Sequence, residues 1–170
     1  MERFMTFIST TSEAQQEPTL ETRSAQPSDS EALARLLFAA YDSDAYPTQA
    51  DAQQALDKVF AGEYGDFYPE ASPVLVDKND RVIAAILCLK NRKDGLEPAD
   101  FPSIYELVTA SSRRREGIAE ELICRALSTM HADDVEQVTV RIAEDNAAAI
   151  ALYLSLDFTR WQPTDDVDII

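Results

Sequence analysis

The chain has 170 residues, 45% of them hydrophobic, and a formal net charge of −16. That is enough apolar material for one domain with a core, and too much for a disordered chain. The acidic balance argues against a nucleic-acid partner, and no apolar run approaches the roughly 20 residues of a membrane span. The opening MERFMTFIST has too short an apolar block for a secretory signal, and residues 9–19 are polar. Residues 1–19 are therefore expected as an N-terminal extension, and residues 20–170 as a single domain. From there LETRSA (Leu20–Ala25) alternates like a strand. Ser28 and Glu31 have the spacing of a capping box, and Leu33, Leu36, Leu37, Ala40 and Tyr41 then repeat as one helix face. A second helix is expected from Thr48, with Ala52, Ala55, Leu56, Val59 and Phe60 on its apolar face and Gly62 past its end.

The texture then changes. SPVLVDKNDRVIAAILCLK holds two apolar runs around DKND, the pattern of a hairpin. Val82–Leu89 is apolar on both faces and should be a central strand. NRKDGLEPADFP is a loop, and Ser103–Thr109 is a further strand. A helix follows to about Met130, then a strand over Val135–Ile142, a helix over Asn146–Leu154 and a last strand in FTRWQ. The expected order is β-α-α-β-β-β-α-β-α-β, an α/β fold with a mixed sheet. Cys88 and Cys124 lie in apolar runs and are too few for a disulfide framework or a C-x-x-C pair. Both are expected as reduced, buried thiols of a cytoplasmic protein. The single histidine, His131, has no nucleophile motif around it, and no metal site is expected.

Between the strand at 103–109 and its helix stands SSRRREGIAEELI. A helix N-terminus offers unpaired N–H groups and a partial positive charge, and Gly117 leaves that backbone open to close approach. Ala119 keeps the next position small. Three arginines, Arg113 to Arg115, outweigh Glu116 within residues 111–118. Together these suit a phosphate group; the competing reading is a solvated basic turn. Neither the P-loop spacing nor G-x-G-x-x-G is present.

Arg114-Arg115-Glu116-Gly117-Ile118-Ala119 resembles R/Q-x-x-G-x-G/A, the acyl-CoA pyrophosphate loop of the GCN5-related N-acetyltransferase (GNAT) superfamily. EDNAAAIALYLSLDF (Glu144–Phe158) is similar to that superfamily's second signature, with Asn146, Ala149, Leu152, Tyr153, Leu156 and Phe158 in matching places. The two motifs occur in the right order and span Ser103–Phe158. Asp157 stands where the family usually has glycine. Asn146 and Tyr153, seven residues apart, return to one helix face about 10 Å apart along it. Taken alone, Asn146 reads equally as a helix N-cap and Tyr153 as a packed aromatic.

The resemblance implies the GNAT acyl-CoA N-acyltransferase fold and acetyl-CoA as co-substrate. The pyrophosphate would lie on the backbone of Arg115–Ala119, flanked by Arg113 and Arg114, with Asn146 and Tyr153 also touching the cofactor. The pantetheine arm would run between splayed strands, Ser103–Thr109 and Val138–Ile142. A backbone N–H near Val108 or Thr109 would hold the oxyanion, and Tyr153 would protonate the leaving thiolate. Glu106 is the candidate base; strand alternation puts it and Tyr105 on opposite faces, with the functional face open. The acceptor is a primary amine, with a cationic one favoured by the chain's acidity: a polyamine, aminoglycoside, amino acid or protein amino group. The determinants of that choice are expected in Tyr41–Pro73. A non-catalytic acyl-CoA sensor of the same fold is the alternative. Neither nucleic acid nor membrane is an expected partner, and a homodimer is left open.

Overall fold

A computed structural model describes residues 3–14, 16–40, 45–96, 98 and 100–163. Its elements are strands β1 (Phe4–Thr10) and β2 (Thr22–Ser24), helices α1 (Ser30–Ala40) and α2 (Gln49–Phe60), strands β3 (Pro73–Val76), β4 (Val82–Leu89) and β5 (Ser103–Thr109), helix α3 (Ile118–Ala132), strand β6 (Gln137–Ala143), helix α4 (Ala147–Ser155) and strand β7 (Thr159–Arg160). The sheet runs in the order β2-β3-β4-β5-β6-β1-β7. All its pairings are antiparallel except β5 with β6. No helix among the described residues is long and apolar enough to cross a membrane.

The expected order holds from β2 onward, with one strand added in front. Residues 4–10 are part of the sheet: β1 pairs along its whole length with β6, from Phe4 opposite Ala143 to Thr10 opposite Gln137, and β7 pairs on its other side. The extension expected over residues 1–19 is corrected for this stretch. MERFMTFIST is apolar enough for a half-buried strand, and Phe7 is 3% exposed. Residues Thr19 and Leu20 are in turn fastened to α3, where the Glu121 carboxylate accepts from both backbone N–H groups.

Each face of the sheet carries its own core. Leu33, Leu36 and Leu37 of α1 and Ala52 and Leu56 of α2 pack on Val74, Ala85, Leu87 and Val108. Tyr41 lies outside the described residues. On the other face Ile118, Leu122, Ala126 and Met130 of α3 meet Ala84, Ile86, Cys88, Ile104, Val138, Val140 and Ile142, with Tyr153 and Phe158 beside them. The spacing in α3 is i, i+4, i+8, i+12, one helical face. β4 is buried on both sides, as its unbroken apolar run requires. Cys88 is fully buried and Cys124 half-buried; both are free.

One local signal resolves differently from the sequence reading. The second helix starts beside Thr48 as expected, and Thr48 caps it, accepting from Asp51 N–H. The Ser28–Glu31 box does not cap α1: Asp29 takes the Gln26 N–H at 2.8 Å and grips Arg23 with both oxygens, at 2.8 and 2.7 Å. A charged pair supplies stronger bonds than a serine hydroxyl, so it fixes this turn. Asp157 does sit at positive φ, +70°, just past the end of α4. There the Phe158 N–H reaches back to the Tyr153 carbonyl at 3.1 Å. Asp tolerates that conformation only at a cost that glycine does not carry. Asp157→Gly is expected to raise stability by about 0.5 kcal/mol, the left-handed strain relieved less the extra unfolded-chain entropy of glycine. Denaturant unfolding measures this directly.

Candidate active site

The parallel pairing of β5 with β6 is brief. Ser103 lies opposite Thr139 and Ile104 opposite Val140, and the ladder ends there. The cause is on the other side of β5. Its pairing with β4 slips between Leu87 and Cys88: Leu87 faces Glu106 while Cys88 faces Ile104. Tyr105 is thus an extra residue, a β-bulge that bends β5 away from β6. The two strands splay from Tyr105 onward and open a cleft of about 750 Å³ through the sheet, lined among others by Tyr105, Glu106, Leu107, Val140, Ile142 and Tyr153.

Alternation along β5 decides which backbone donors face the splay. Ala110 N–H bonds the Ile83 carbonyl at 2.8 Å, and Thr109 and Val108 lie opposite Ala84 and Ala85. Antiparallel pairing alternates, so Val108 N–H points into the β4 ladder while those of Leu107 and Thr109 point toward the cleft. Leu107 N–H accordingly meets Glu106 Oε1 at 3.1 Å on that side. This corrects the expectation for Val108, whose buried side chain belongs to the α1–α2 core. Thr109 remains on the open side, and its Oγ1 is buried without a partner.

The bulge also brings Tyr105 and Glu106 into the same cleft, where simple alternation would have parted them. Around them gather Tyr46, from the connection between α1 and α2, and Tyr64, from the turn after α2. Tyr46 is hydrogen-bonded to Glu106; burial first, and then the Glu106 charge, push its hydroxyl pKa well above the ordinary tyrosine value. Tyr64 stacks on Tyr105 with ring centroids 5.6 Å apart and planes 12° from parallel. Gly65 makes that stack accessible: an added Cβ would fall 2.0 Å from the Asn91 carbonyl oxygen. Sequence reading missed Tyr46 and Tyr64. The available signal was tyrosine itself, since four of the chain's six line this one cleft.

Tyr153 enters from α4, on the opposite face. It is 3% exposed, its ring meets Phe158 edge-on at 5.0 Å, and its hydroxyl has no hydrogen-bond partner among the described residues. Burial above all raises its pKa, so the hydroxyl stays protonated at neutral pH. Asn146 lies one helical stretch away on the same cleft wall and caps α4, its Oδ1 accepting from Ala149 N–H at 3.1 Å. The cap reading of Asn146 holds, and the residue also lines the cleft.

The arginine loop stands apart from this lining, where β5 passes into α3. Gly117 (φ +78°) and Arg115 (φ +69°) are both left-handed. From Arg114 to Glu120 no backbone N–H has a protein acceptor among the described residues; the first helical bond is Glu121 N–H to Gly117. An added Cβ at Gly117 meets nothing within 4 Å. The glycine therefore serves the backbone angle and leaves the N–H groups open outward, a concave donor array suited to an anion. Arg113 is engaged by Glu116 at 2.9 Å, and Arg114 reaches toward the Ala40 carbonyl at 3.5 Å. Arg115 and Ala119 are left beside the open N–H groups. Ile118 contributes only its N–H, because its side chain is 3% exposed in the core.

Known proteins resemble this chain in sequence and in fold. A model of the acetyltransferase (GNAT) family matches residues 31–158. N-alpha-acetyltransferase 30 of Schizosaccharomyces pombe is 30% identical over 95 residues, 56% of this chain and 61% of that protein. The chain thus spans less than two thirds of that relative. A GCN5-related N-acetyltransferase from Sphaerobacter thermophilus superposes with a TM-score of 0.67 at 15% identity, covering 94% of this chain and 50% of the other. Naa20 from Chaetomium thermophilum, solved with a bisubstrate analogue, gives 0.59 at 20% identity over 81% of this chain and 70% of that one. At those identities the likeness to the solved structures is one of fold.

Proposed function

Because the chain belongs to the acetyltransferase (GNAT) family, we propose that it transfers the acetyl group of acetyl-CoA to a primary amine by direct attack. The observation that carries this reading is the splay of β5 from β6, with a protonated tyrosine on one face of the sheet and a carboxylate on the other. The open N–H groups of Arg115–Ala119 hold the pyrophosphate, with Arg115 the cation best placed to join them. The pantetheine arm follows β5 past Thr109 toward Leu107. Leu107 N–H, rather than that of Val108, is the donor beside both Glu106 and the cleft, and it takes the oxyanion role.

The amine approaches from the α1–α2 side. Glu106, held by Tyr46, takes a proton from it, and its Oε1 releases the Leu107 N–H to the forming oxyanion. The nitrogen then adds to the thioester carbon, the carbon–sulfur bond breaks, and Tyr153 gives its proton to the departing sulfur. An α-amino acceptor suits this site: with a pKa near 8, about one molecule in ten is already neutral at pH 7, against about one in 2,500 for a lysine-type amine. The likeness to an N-alpha-acetyltransferase supports the same choice. The test is CoA release across a panel of peptide N-termini, amino acids, polyamines and aminoglycosides. Release with α-amino acceptors is the expected result. Acetyl-CoA binding with no transfer to any amine overturns the enzyme reading in favour of the sensor.

A further inference from the structure

The cleft holds a second set of charges that this chemistry does not use. Arg92, just beyond β4, has a side chain only 5% exposed, yet it lines the cleft. Its Nη2 bonds Asp94 at 2.6 Å, which accounts for one arm of the guanidinium. Nη1 is buried with no acceptor among the described residues. A loop clasp to Asp94 explains the first arm and not the second, and a charged donor is costly to bury unpaired. Arg141 of β6 reaches the same wall. Its guanidinium lies over the Phe4 ring, 5.2 Å from the centroid, and forms no ion pair among the described residues. Asp145 also borders the cleft, at its exposed rim. The space between the walls therefore has Glu106 and its tyrosines on one side and two guanidiniums on the other. On that wall Asp94 and Asp145 balance the two arginines in formal charge, and of these four groups only Arg92 and Asp94 are paired among the described residues.

We propose that Arg92 and Arg141 hold a carboxylate of the acceptor, so that the preferred substrate is an amine that itself bears a carboxylate close to the reacting nitrogen. The ammonium end faces Glu106 and the carboxylate end lies between Arg141 and the guanidinium of Arg92, beside Asp94. A guanidinium suits this because its planar fork can hold two carboxylates at once. The inference rests on the transfer reading for the identity of the ligand. Its test reads binding, so the two can fail separately.

The CoA-loaded full chain is titrated calorimetrically with matched pairs: a peptide beginning with aspartate against one beginning with asparagine, and a free amino acid against its amide. The carboxylate member of at least one pair is expected to bind about tenfold tighter. The two pairs separate a peptide source from a free amino acid. Arg92→Met should bring that ratio to near one; if it does not fold, Arg141→Gln, at an exposed position, should still narrow it. Equal affinity within both pairs for the wild type, or a ratio that survives both substitutions, overturns the proposal. A ratio without acetyl transfer supports the subsite and counts against the enzyme reading alone; transfer without a ratio does the reverse.

Discussion

Gly117→Asp lowers the affinity for acetyl-CoA by about 100-fold or more, while the protein still folds. Backbone strain and charge repulsion act together. The left-handed angle of +78° costs aspartate less than most residues, on the order of 1 kcal/mol. An added Cβ meets no protein atom within 4 Å, so nothing in the fold must shift. The repulsion is the greater of the two, and it falls on the ligand. The carboxylate would project from the face where the N–H groups of Arg115–Ala119 open outward, and would oppose the pyrophosphate at close range. Two unit charges 4 Å apart near a protein surface repel by about 4 kcal/mol, before screening by salt. Gly117→Ala separates strain from charge: it keeps most of the backbone cost without the carboxylate, and should weaken binding by no more than about tenfold. Calorimetry with CoA measures both variants. Unchanged affinity in Gly117→Asp would remove the loop from the site.

Tyr153→Phe lowers kcat by about 100-fold and leaves KM for acetyl-CoA within about threefold. A positioned general acid contributes about 10²–10⁴-fold, and a thiolate, already a fair leaving group, sits at the low end. Removing the hydroxyl keeps the ring, its edge contact with Phe158 and its burial, so packing is little changed. Because the hydroxyl has no hydrogen-bond partner among the described residues, the substitution orphans none of them. The split matters: a packing defect would move KM and thermal stability, and loss of a proton donor moves kcat. Wild-type kcat in a variant shown to be limited by chemistry would sink the assignment.

Much of the fold and the site is legible in the sequence, for identifiable reasons. β5 is legible to the residue because a Pro-containing loop and a basic turn bracket it, and β4 because a run apolar on both faces has few other homes. Gly117 and Tyr153 are legible because each sits at a fixed offset in a local motif. What escapes depends on distance in sequence. β1 is partnered by β6 and β7, more than 120 residues away, so nothing local marks its pairing. The splay depends on one extra residue at Tyr105, where no glycine or proline announces a bulge. Tyr46, Tyr64 and Arg92 come from three separate connections and converge only in the folded chain. Val108 is misplaced by a single step of strand parity, which no sequence reading can set before the register with β4 is known.

The place of β1 between β6 and β7 also constrains how the chain is made. Residues 4–10 leave the ribosome well before their partners at 137–143 and 159–160. At about 5–20 residues per second, the first strand waits several seconds or more with its hydrogen-bonding edges open. Closing that ring of well over a hundred residues is a late and slow event, since loop entropy must be met before the contacts form. During the wait the same slot on another molecule is an equally good home. Crowded synthesis therefore favours exchange of first strands between copies, and dilution favours the monomeric closure.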